Sequence, residues 1–457
     1  MQSSPARVAA VLLILLAAIF VPLVASGYAE LEKASTAGSY LDAASHYQAA
    51  AQRLPWRADL FELSGHAYYH AEQYSQADEV YRKAFQRNAL SPEGWVAWGD
   101  VLYLNNDPGR AAQIWEQGLK QEQVSEHLYS RLSQVYKENK DYSSAALYLQ
   151  KYVALHEQDA SARYRLGLLL ALTDSGAALS ELIAASELNP QLDPAVETLR
   201  SALNLAALED SVSDRLVLTG RGLGLVQEWE LAHAAFESAV KEDEENAEAW
   251  AWLGESNYHS GLEGRAELDR ALELDQNSPT VRGLRGLYFE RTGNFRNALI
   301  EFQAAARLDE QNPAWQVSIG ESYSKLGDLI RALGAYQTAT ALAPEDPSYW
   351  RLLALFCAQN NVNVDTVGIP AAQQAIVLEE SADSLDLLGW LLLLDRRYEE
   401  SERILNQALG LEPQNASVHL HLGMLYLQME DRTAALGHFV NARDLGSTDA
   451  EAILNQY

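Results

Sequence analysis

Residues 313–346 read PAWQVSIGESYSKLGDLIRALGAYQTATALAPED and contain two amphipathic patterns within 34 positions. In each pattern apolar residues recur at spacings of three or four, as one face of an α helix requires. Gly327 and Asp328 separate the two patterns, and Pro344 prevents the second helix from continuing. The first stripe comprises Trp315, Ile319, Tyr323 and Leu326, and the second comprises Leu329, Ala332, Leu333, Tyr336 and Ala339. The stretch therefore predicts a helix-turn-helix unit.

Small residues recur at the same interval along most of the chain. Residues 34 positions apart include Ala43, Ala77, Ala111 and Ala145, and the glycine pairs Gly65 and Gly99, Gly220 and Gly254, Gly286 and Gly320, and Gly389 and Gly423. Small side chains let the two helices of a unit approach closely, and we expect the recurring aromatic residue to fill the gap toward the next unit. One helix pair cannot bury both of its faces, so the period predicts a stack of pairs.

Individual units also share a specific motif. The motif residues are Trp250, Leu253 and Gly254 in one copy, Gly293, Asn294, Phe295, Ala298, Phe302 and Ala305 in others, and Leu422, Gly423 and Tyr426 in a late one. This pattern resembles the tetratricopeptide repeat family. The resemblance implies an all-α fold, a right-handed superhelical solenoid of about twelve helix-turn-helix repeats between roughly residues 28 and 446.

The spacing of the motif also suggests how the array is divided. The interval from Gly167 to Gly220 is 53 residues rather than twice 34, which indicates one degenerate repeat and a possible hinge. The predicted segments are an N-terminal anchor or signal at 1–27, a first array at 28–192, the degenerate repeat at 193–212, a second array at 213–446 and a C-terminal capping segment at 447–457.

Two shorter stretches depart from the repeat. Residues 361–369 read NVNVDTVGI, a longer and more polar turn that we expect to project from the array. The helix pair near 255–271 is shortened, because Gly261 and Gly264 replace better helix formers.

The N-terminus carries an apolar segment. Residues 8–25 contain no charged side chain, and 18 helical residues span about 27 Å, close to the hydrocarbon thickness of a bilayer. Arg7 precedes the segment and Glu30 follows it, which favours a cytoplasmic N-terminus and a single-pass membrane protein with extracytoplasmic repeats. The alternative is a cleaved signal peptide and a secreted protein, because Ala25, Ser26 and Gly27 resemble a cleavage region.

Composition excludes several classes of function. The chain has 63 acidic and 34 basic residues and a formal net charge of −29, which argues against nucleic acid as a partner. Its single cysteine, Cys357, excludes an intramolecular disulfide and a cysteine-based metal cage. His66 and His70 lie four apart on one predicted helix, but no third ligand at metal spacing accompanies them. We therefore expect no metal, no cofactor and no enzymatic activity.

The resemblance implies a concave groove lined by the first helix of each repeat, which binds a peptide or protein segment. The candidate groove residues are Glu62, His66, Tyr69, His70, Asp100, Tyr103, Arg131, Gln134, Lys137 and Trp390. The first copies have a polar and aromatic lining, whereas the last copies are nearly apolar. We expect basic or amphipathic partners rather than acidic ones, because the lysine-asparagine clamp of some family members is not matched and the chain is acidic.

These features predict a non-catalytic scaffold that mediates protein-protein interactions at a membrane. An alternative is an accessory subunit that regulates a glycosyltransferase or a polysaccharide or protein export system. Carbohydrate contact would favour the aromatic residues Tyr69, Tyr103 and Trp390.

Overall fold

The computed structural model describes residues 5–121 and 124–455. Within these residues the chain forms 26 α helices, one 3₁₀ turn (Pro190–Leu192) and one π-helical turn (Val364–Gly368), with no strand. The helices are α1 (Pro5–Ser35), α2 (Tyr40–Arg53), α3 (Asp59–His70), α4 (Tyr74–Phe85), α5 (Pro92–Leu104), α6 (Pro108–Gly118), α7 (His127–Glu138), α8 (Tyr142–Leu155), α9 (Ala160–Leu170), α10 (Ser175–Leu188), α11 (Asp193–Ala206), α12 (Val212–Leu225), α13 (Trp229–Glu242), α14 (Ala247–His259), α15 (Arg265–Leu274), α16 (Pro279–Arg291), α17 (Phe295–Leu308), α18 (Pro313–Lys325), α19 (Leu329–Leu342), α20 (Pro347–Asn360), α21 (Ile369–Leu378), α22 (Ala382–Leu394), α23 (Tyr398–Leu411), α24 (Ala416–Gln428), α25 (Arg432–Asp444) and α26 (Thr448–Leu454).

The chain divides into two compact units. Unit 1 comprises Met1–Asp210 with Leu218–Ala235, and unit 2 comprises Ser211–Val217 with Phe236–Tyr457. The first part of the predicted degenerate repeat at 193–212 is the single helix α11. Hinge motion at this segment and the other predicted segment boundaries stay predictions.

The turn inside a repeat has a local cause that the sequence carries. Gly293 and Gly327 adopt positive φ values of 75° and 79°, which glycine reaches without a steric penalty. The next residue caps the following helix: the Asp328 side chain accepts a hydrogen bond from the Arg331 amide at 3.1 Å. A left-handed residue followed by a capping side chain thus ends one helix and starts its partner.

The recurring glycine and the recurring aromatic residue contact each other within one helix pair. A Cβ atom on Gly99 would lie 2.0 Å from Nε1 of Trp115, and one on Gly286 would lie 2.5 Å from Cε1 of Phe302. The aromatic rings are almost fully buried there. The expectation that the aromatic residue also fills the gap toward the next pair is confirmed for Tyr336, whose ring centroid lies 5.0 Å from that of Phe356 in the following helix.

The segment predicted to project as a polar loop is packed on unit 2 instead. Asn361 and Asn363 adopt left-handed conformations with φ of 49° and 47°, and the π-helical turn follows. Three valines of this segment pack against the neighbouring core, namely Val362, Val364 and Val367. A Cβ on Gly368 would lie 2.9 Å from the Cβ of Cys357, which is buried as expected. These valines attach the segment to the core although four of its nine residues are polar.

Helix α1 is long and apolar at the N-terminal end of unit 1. Its stretch Leu13–Ser35 has 23 residues and contains an 18-residue window with a mean hydropathy of 1.9, of which 6% is buried. By length and composition this helix could cross a membrane or serve as a signal sequence. Its low burial distinguishes it from the core helix of a soluble domain, which is mostly buried. Val24 and Leu31 on the same helix pack against the core of the first repeats.

The C-terminal segment packs on the last helix pair. Ala450 in α26 is fully buried, and Ile453 and Leu454 pack against the cluster around Phe439. Residues 456–457 of the predicted capping segment lie outside the described residues.

Candidate functional site

Five of the ten predicted groove residues meet in one concavity of unit 1. The concavity has a volume of about 200 Å³ and is formed by side chains from α3, α5, α6 and α7. The predicted residues are Tyr69, Asp100, Tyr103, Arg131 and Gln134, and the concavity is completed by Leu104, Trp115 and Val135. The first helices of three consecutive repeats thus converge on a small polar and aromatic recess.

An ion pair lies within this recess. Arg131 donates from Nε to Oδ1 of Asp100 at 2.7 Å and from Nη2 to Oδ2 at 3.1 Å. This bidentate geometry is the strong form of hydrogen bonding between a guanidinium and a carboxylate. The bond to Asp100 raises the pKa of Arg131. Because Asp100 neutralises Arg131, the described residues that line the recess include no unpaired cation to attract an acidic ligand.

The rim of the recess carries a carboxylate whose bonded neighbours are neutral. Glu138 is exposed, and its Oε1 accepts hydrogen bonds from the Tyr103 hydroxyl at 2.7 Å and from Gln134 Nε2 at 3.1 Å. The bond to Glu138 raises the pKa of Tyr103. A basic side chain entering the recess could therefore pair with Glu138 without displacing another cation.

Two predicted groove residues are engaged inside the fold. The Glu62 carboxylate accepts bonds from the amide and the hydroxyl of Ser91, both at 2.6 Å, and so ties α3 to the start of α5. Nδ1 of His66 lies 2.9 Å from the Tyr81 hydroxyl, and its Nε2 lies 3.4 Å from Glu62. Both side chains therefore have structural partners.

His70 makes different side-chain contacts from His66. Its ring packs on those of Tyr40 and Tyr69, with centroids 5.1 and 5.4 Å away. Both histidines line an open concavity of about 450 Å³ at the junction of α1, α2 and α3. Within the described residues no group of three His, Cys, Asp or Glu side chains could hold a metal ion.

Lys137 contacts a part of unit 1 that is 93 positions later in the chain. Its Nζ lies 3.5 Å from Oε2 of Glu230, at the start of α13. Lys137 and Gln134 line a concavity of about 420 Å³ together with Arg165, Glu228 and other residues. Both partners of the ion pair are substantially exposed, so the pair adds little to stability. The repeat period offered no signal for this contact.

Trp390 lines a separate concavity of about 450 Å³ in unit 2. Its ring stacks on His421, with centroids 4.8 Å apart and an interplanar angle of 16°. Nδ1 of His421 lies 2.8 Å from Oδ1 of Asp386, and Oδ2 of Asp386 accepts from the Ser417 hydroxyl at 2.6 Å. The predicted apolar residues Leu352, Leu355 and Leu387 line the same concavity. The sequence analysis did not foresee that the buried side chains of Asp386 and His421 lie beside them and bond to each other across two repeats.

Carboxylates in the first helix of a repeat pair with a base one repeat later in three places. Besides Asp100 with Arg131 and Asp386 with His421, Glu255 accepts from Arg291 at 2.7 Å. The sequence separations are 31 to 36 residues. These three carboxylates of first helices therefore each have a basic residue of the next repeat as partner.

Glu290 and Glu321 are the contrasting case in unit 2. Within the described part of the chain neither forms an ion pair at contact distance, although both are partly buried. Burial raises the pKa of both carboxyls, and repulsion from Glu290 raises the pKa of Glu321 further. Burial and these two charges also raise the pKa of Tyr336.

Replacing Glu321 by glutamine should raise the thermal stability of the protein at pH 7 and leave it almost unchanged at pH 4. The folded-state pKa of Glu321 lies above its usual value of 4.5, so folding disfavours the charged form. The contribution of the protonated Glu321 carboxyl to the free energy of unfolding is fully present below pH 4.5, and it is lost as the pH rises through the raised pKa. Thermal unfolding at both pH values measures this difference. The exposed Glu310→Gln is the control, and an equal gain at pH 4 would contradict the prediction.

Comparison with known proteins identifies the repeat. Models described as tetratricopeptide repeat match residues 62–123, 226–279, 262–313 and 317–362, and a second such model matches 382–415, so that together they cover about half of the chain. The protein therefore belongs to the tetratricopeptide repeat family, and its helical array is the array of that family. Proteins of this family bind protein or peptide partners and serve as interaction scaffolds.

Solved structures show limited likeness over long stretches. The Cut9-Hcn1 hetero-tetramer of the APC/C has 16% identity, a TM-score of 0.43 and coverage of 97% of both chains. Yeast Tom70 has 17% identity, a TM-score of 0.39 and coverage of 96% of this chain and 94% of its own. A tetratricopeptide repeat protein from Parabacteroides merdae has 13% identity, a TM-score of 0.42 and coverage of 53% of this chain and 98% of its own. A search of the curated proteins gave no significant match.

Proposed function

We propose that this protein is a non-catalytic scaffold that binds a protein or peptide segment in the groove of unit 1 and is held at a membrane by α1. The observation that carries the proposal is the recess in which Tyr69, Tyr103 and Gln134 surround the Asp100 and Arg131 pair. Aromatic rings supply contact area at low entropic cost, and the amide and hydroxyl groups supply hydrogen bonds. Such a lining suits an extended segment whose backbone needs polar partners.

The charges around the recess favour a basic or amphipathic segment. Arg131 is neutralised by Asp100, whereas Glu138 at the rim accepts bonds from neutral groups. The net charge of −29 would also repel an acidic segment before it reached the recess. Association with basic partners should therefore be faster at low ionic strength.

The attachment of α1 to the repeats supports an uncleaved anchor. Gly27 is buried, and a Cβ at this position would lie 2.6 Å from Cγ of Leu54. Val24 also packs against the core of the first repeats. Cleavage after this region would remove both contacts, so the membrane-anchored form is the one that we propose. The orientation with extracytoplasmic repeats rests on Arg7 and on the acidic residues that follow the apolar segment.

Replacing Glu138 by lysine should weaken the binding of a lysine-bearing amphipathic peptide by about tenfold, or about 1.4 kcal/mol. The substitution turns an attraction at the rim into a repulsion and leaves the Asp100 and Arg131 pair in place. Fluorescence anisotropy with the full-length protein measures the affinity. Glu157→Lys is the matched control, because it changes the net charge equally at an exposed position in the turn after α8. Equal losses in both variants would show a general charge effect and would contradict binding at the recess.

A further inference from the structure

Two large aromatic side chains are exposed beside α1. Trp56 is 55% exposed in the turn between α2 and α3, and Tyr28 is 49% exposed on α1. Tryptophan is usually well buried in a soluble domain, so exposed aromatic rings close to an apolar helix mark a candidate interaction surface. The apolar run ends at Ala25, three residues before Tyr28.

The packing of α2 on α1 brings these residues to the same end of unit 1. A Cβ on Gly27 would lie 2.6 Å from Cγ of Leu54 and 3.2 Å from Cβ of Arg53, so the end of α2 touches α1 at Gly27. The turn that carries Trp56 begins at this point. Its neighbour Arg57 has a raised pKa, mainly through its hydrogen bond with Asp59 and in smaller part through Tyr28. Tyr28 and the turn are therefore close enough to interact electrostatically.

The apolar segment joins the first repeat without a flexible linker. Helix α1 is continuous from Pro5 to Ser35, and Val24 and Leu31 on it pack against the core. Earlier on the helix, Ile19 and Val21 are 67% and 65% exposed. At 1.5 Å per residue, Tyr28 lies about 4.5 Å along the axis from the last residue of the apolar run. If α1 spans a bilayer, this end of unit 1 is at the level of the lipid headgroups.

We propose that Tyr28, Trp56 and the turn at 54–57 contact the bilayer interface and seat unit 1 directly on the membrane surface. Tryptophan and tyrosine prefer the boundary between headgroups and acyl chains, where the ring is in an apolar environment and its polar atom is hydrated. This inference rests on the proposed anchoring by α1, and it assigns the lipid bilayer as the partner of this surface.

The charges near these rings show which lipids the contact requires. Arg57 pairs with Asp59 at 2.7 Å, and Arg53 pairs with Glu30 at 3.0 Å. Glu30 also pairs with Lys33, and Glu32 is a further carboxylate on the same helix. Three cations and three carboxylates therefore lie close to the rings, so the described residues of this surface carry no excess of positive charge for anionic headgroups. The contact therefore depends on the aromatic rings and forms on a zwitterionic bilayer.

The test places an environment-sensitive fluorophore at position 56 of the full-length protein in phosphatidylcholine vesicles. Trp56→Cys receives the label, while Cys357 stays unlabelled because it is buried, which raises its thiol pKa to about 11. Tyr40→Cys is the matched control: this aromatic residue is 60% exposed at the opposite end of α2. The 14 residues of α2 place position 40 about 20 Å along the helix axis from the end of α2, where the turn that carries position 56 begins.

Spin-labelled lipids with a quencher near the headgroup should reduce the emission at position 56 by at least about twofold, since interfacial side chains lie within about 10 Å of that boundary. Emission at position 40 should not change. Label at Tyr28→Cys is a second, independent position that should behave as position 56 does. Unchanged thermal unfolding of each variant confirms that the fold is intact.

Each other outcome has a distinct meaning. If the protein floats with the vesicles but position 56 is not quenched, the interfacial contact is overturned and the anchor stands. If the protein does not float with the vesicles, both the anchor and the contact are overturned. Quenching that requires phosphatidylglycerol and disappears in high salt would overturn the contact as proposed, because charge rather than the rings would then carry it.

Discussion

Replacing Gly264 by alanine is expected to destabilise unit 2 by about 3 kcal/mol. Gly264 precedes α15, and a Cβ at this position would lie 1.9 Å from the backbone oxygen of Gly254 on α14. A flexible side chain could move aside, but this neighbour is helical backbone. Separating the two helices would also disturb the buried Leu268, which packs beside the same contact. The shortened pair is therefore stabilised by a glycine that sequence propensity alone treats as a defect.

Gly334 is the matched control for Gly264, because both positions are tested by the same glycine-to-alanine change. Gly334 lies inside α19, and a Cβ there would meet no atom within 4 Å. Gly334→Ala should stabilise the helix by about 0.5 to 1 kcal/mol, because alanine has the better helix propensity. Urea unfolding measures both variants, and amide hydrogen exchange of α14 and α15 locates the loss. If Gly264→Ala were as stable as Gly334→Ala, the close backbone approach would be refuted.

Replacing Glu301 by alanine is expected to cost about 3 kcal/mol or more, as removal of one member of a buried charge cluster usually does. The Glu301 side chain is 6% exposed, and it bonds to Arg282 at 2.9 Å and to Arg285. The two guanidinium groups are 21% and 17% exposed. Without Glu301, Arg282 would lose its carboxylate partner, and the two cations would repel each other. Arg285 would keep its bond to Asp269 at 2.7 Å, which limits the loss.

The control for Glu301 is an ion pair on the surface of the same unit. Glu273 is 71% exposed and lies 3.3 Å from Arg270, so Glu273→Ala should change stability by about 0.5 kcal/mol or less. Urea unfolding in low and high salt compares the two variants. Faster amide exchange in α16 and α17 should accompany only the Glu301 change. A loss for Glu301→Ala no larger than that for Glu273→Ala would contradict a stabilising role for the buried cluster.

The candidate site was predictable in part. Tyr69, Asp100, Tyr103, Arg131 and Gln134 occupy equivalent faces of successive first helices, so the period alone placed them on one surface. The period could not show that Asp100 neutralises Arg131, because that bond depends on the rotamers of both side chains and on the angle between neighbouring repeats. It also could not distinguish residues directed to solvent from Glu62 and His66, whose polar atoms have partners inside the fold.

The sequence by itself determined that the chain is an all-α array of stacked pairs, and it located the apolar N-terminal helix. Those features follow from spacing along the chain: a helix places residues three or four positions apart on one face, and the stacking of repeats places residues 34 positions apart in equivalent environments. Only the tertiary structure decided the contacts between repeats. Lys137 meets Glu230 across 93 positions, and Asp386 meets His421 beside Trp390. Such contacts depend on how far each pair is rotated against its neighbour, and small rotations accumulate into displacements that a one-dimensional period does not encode.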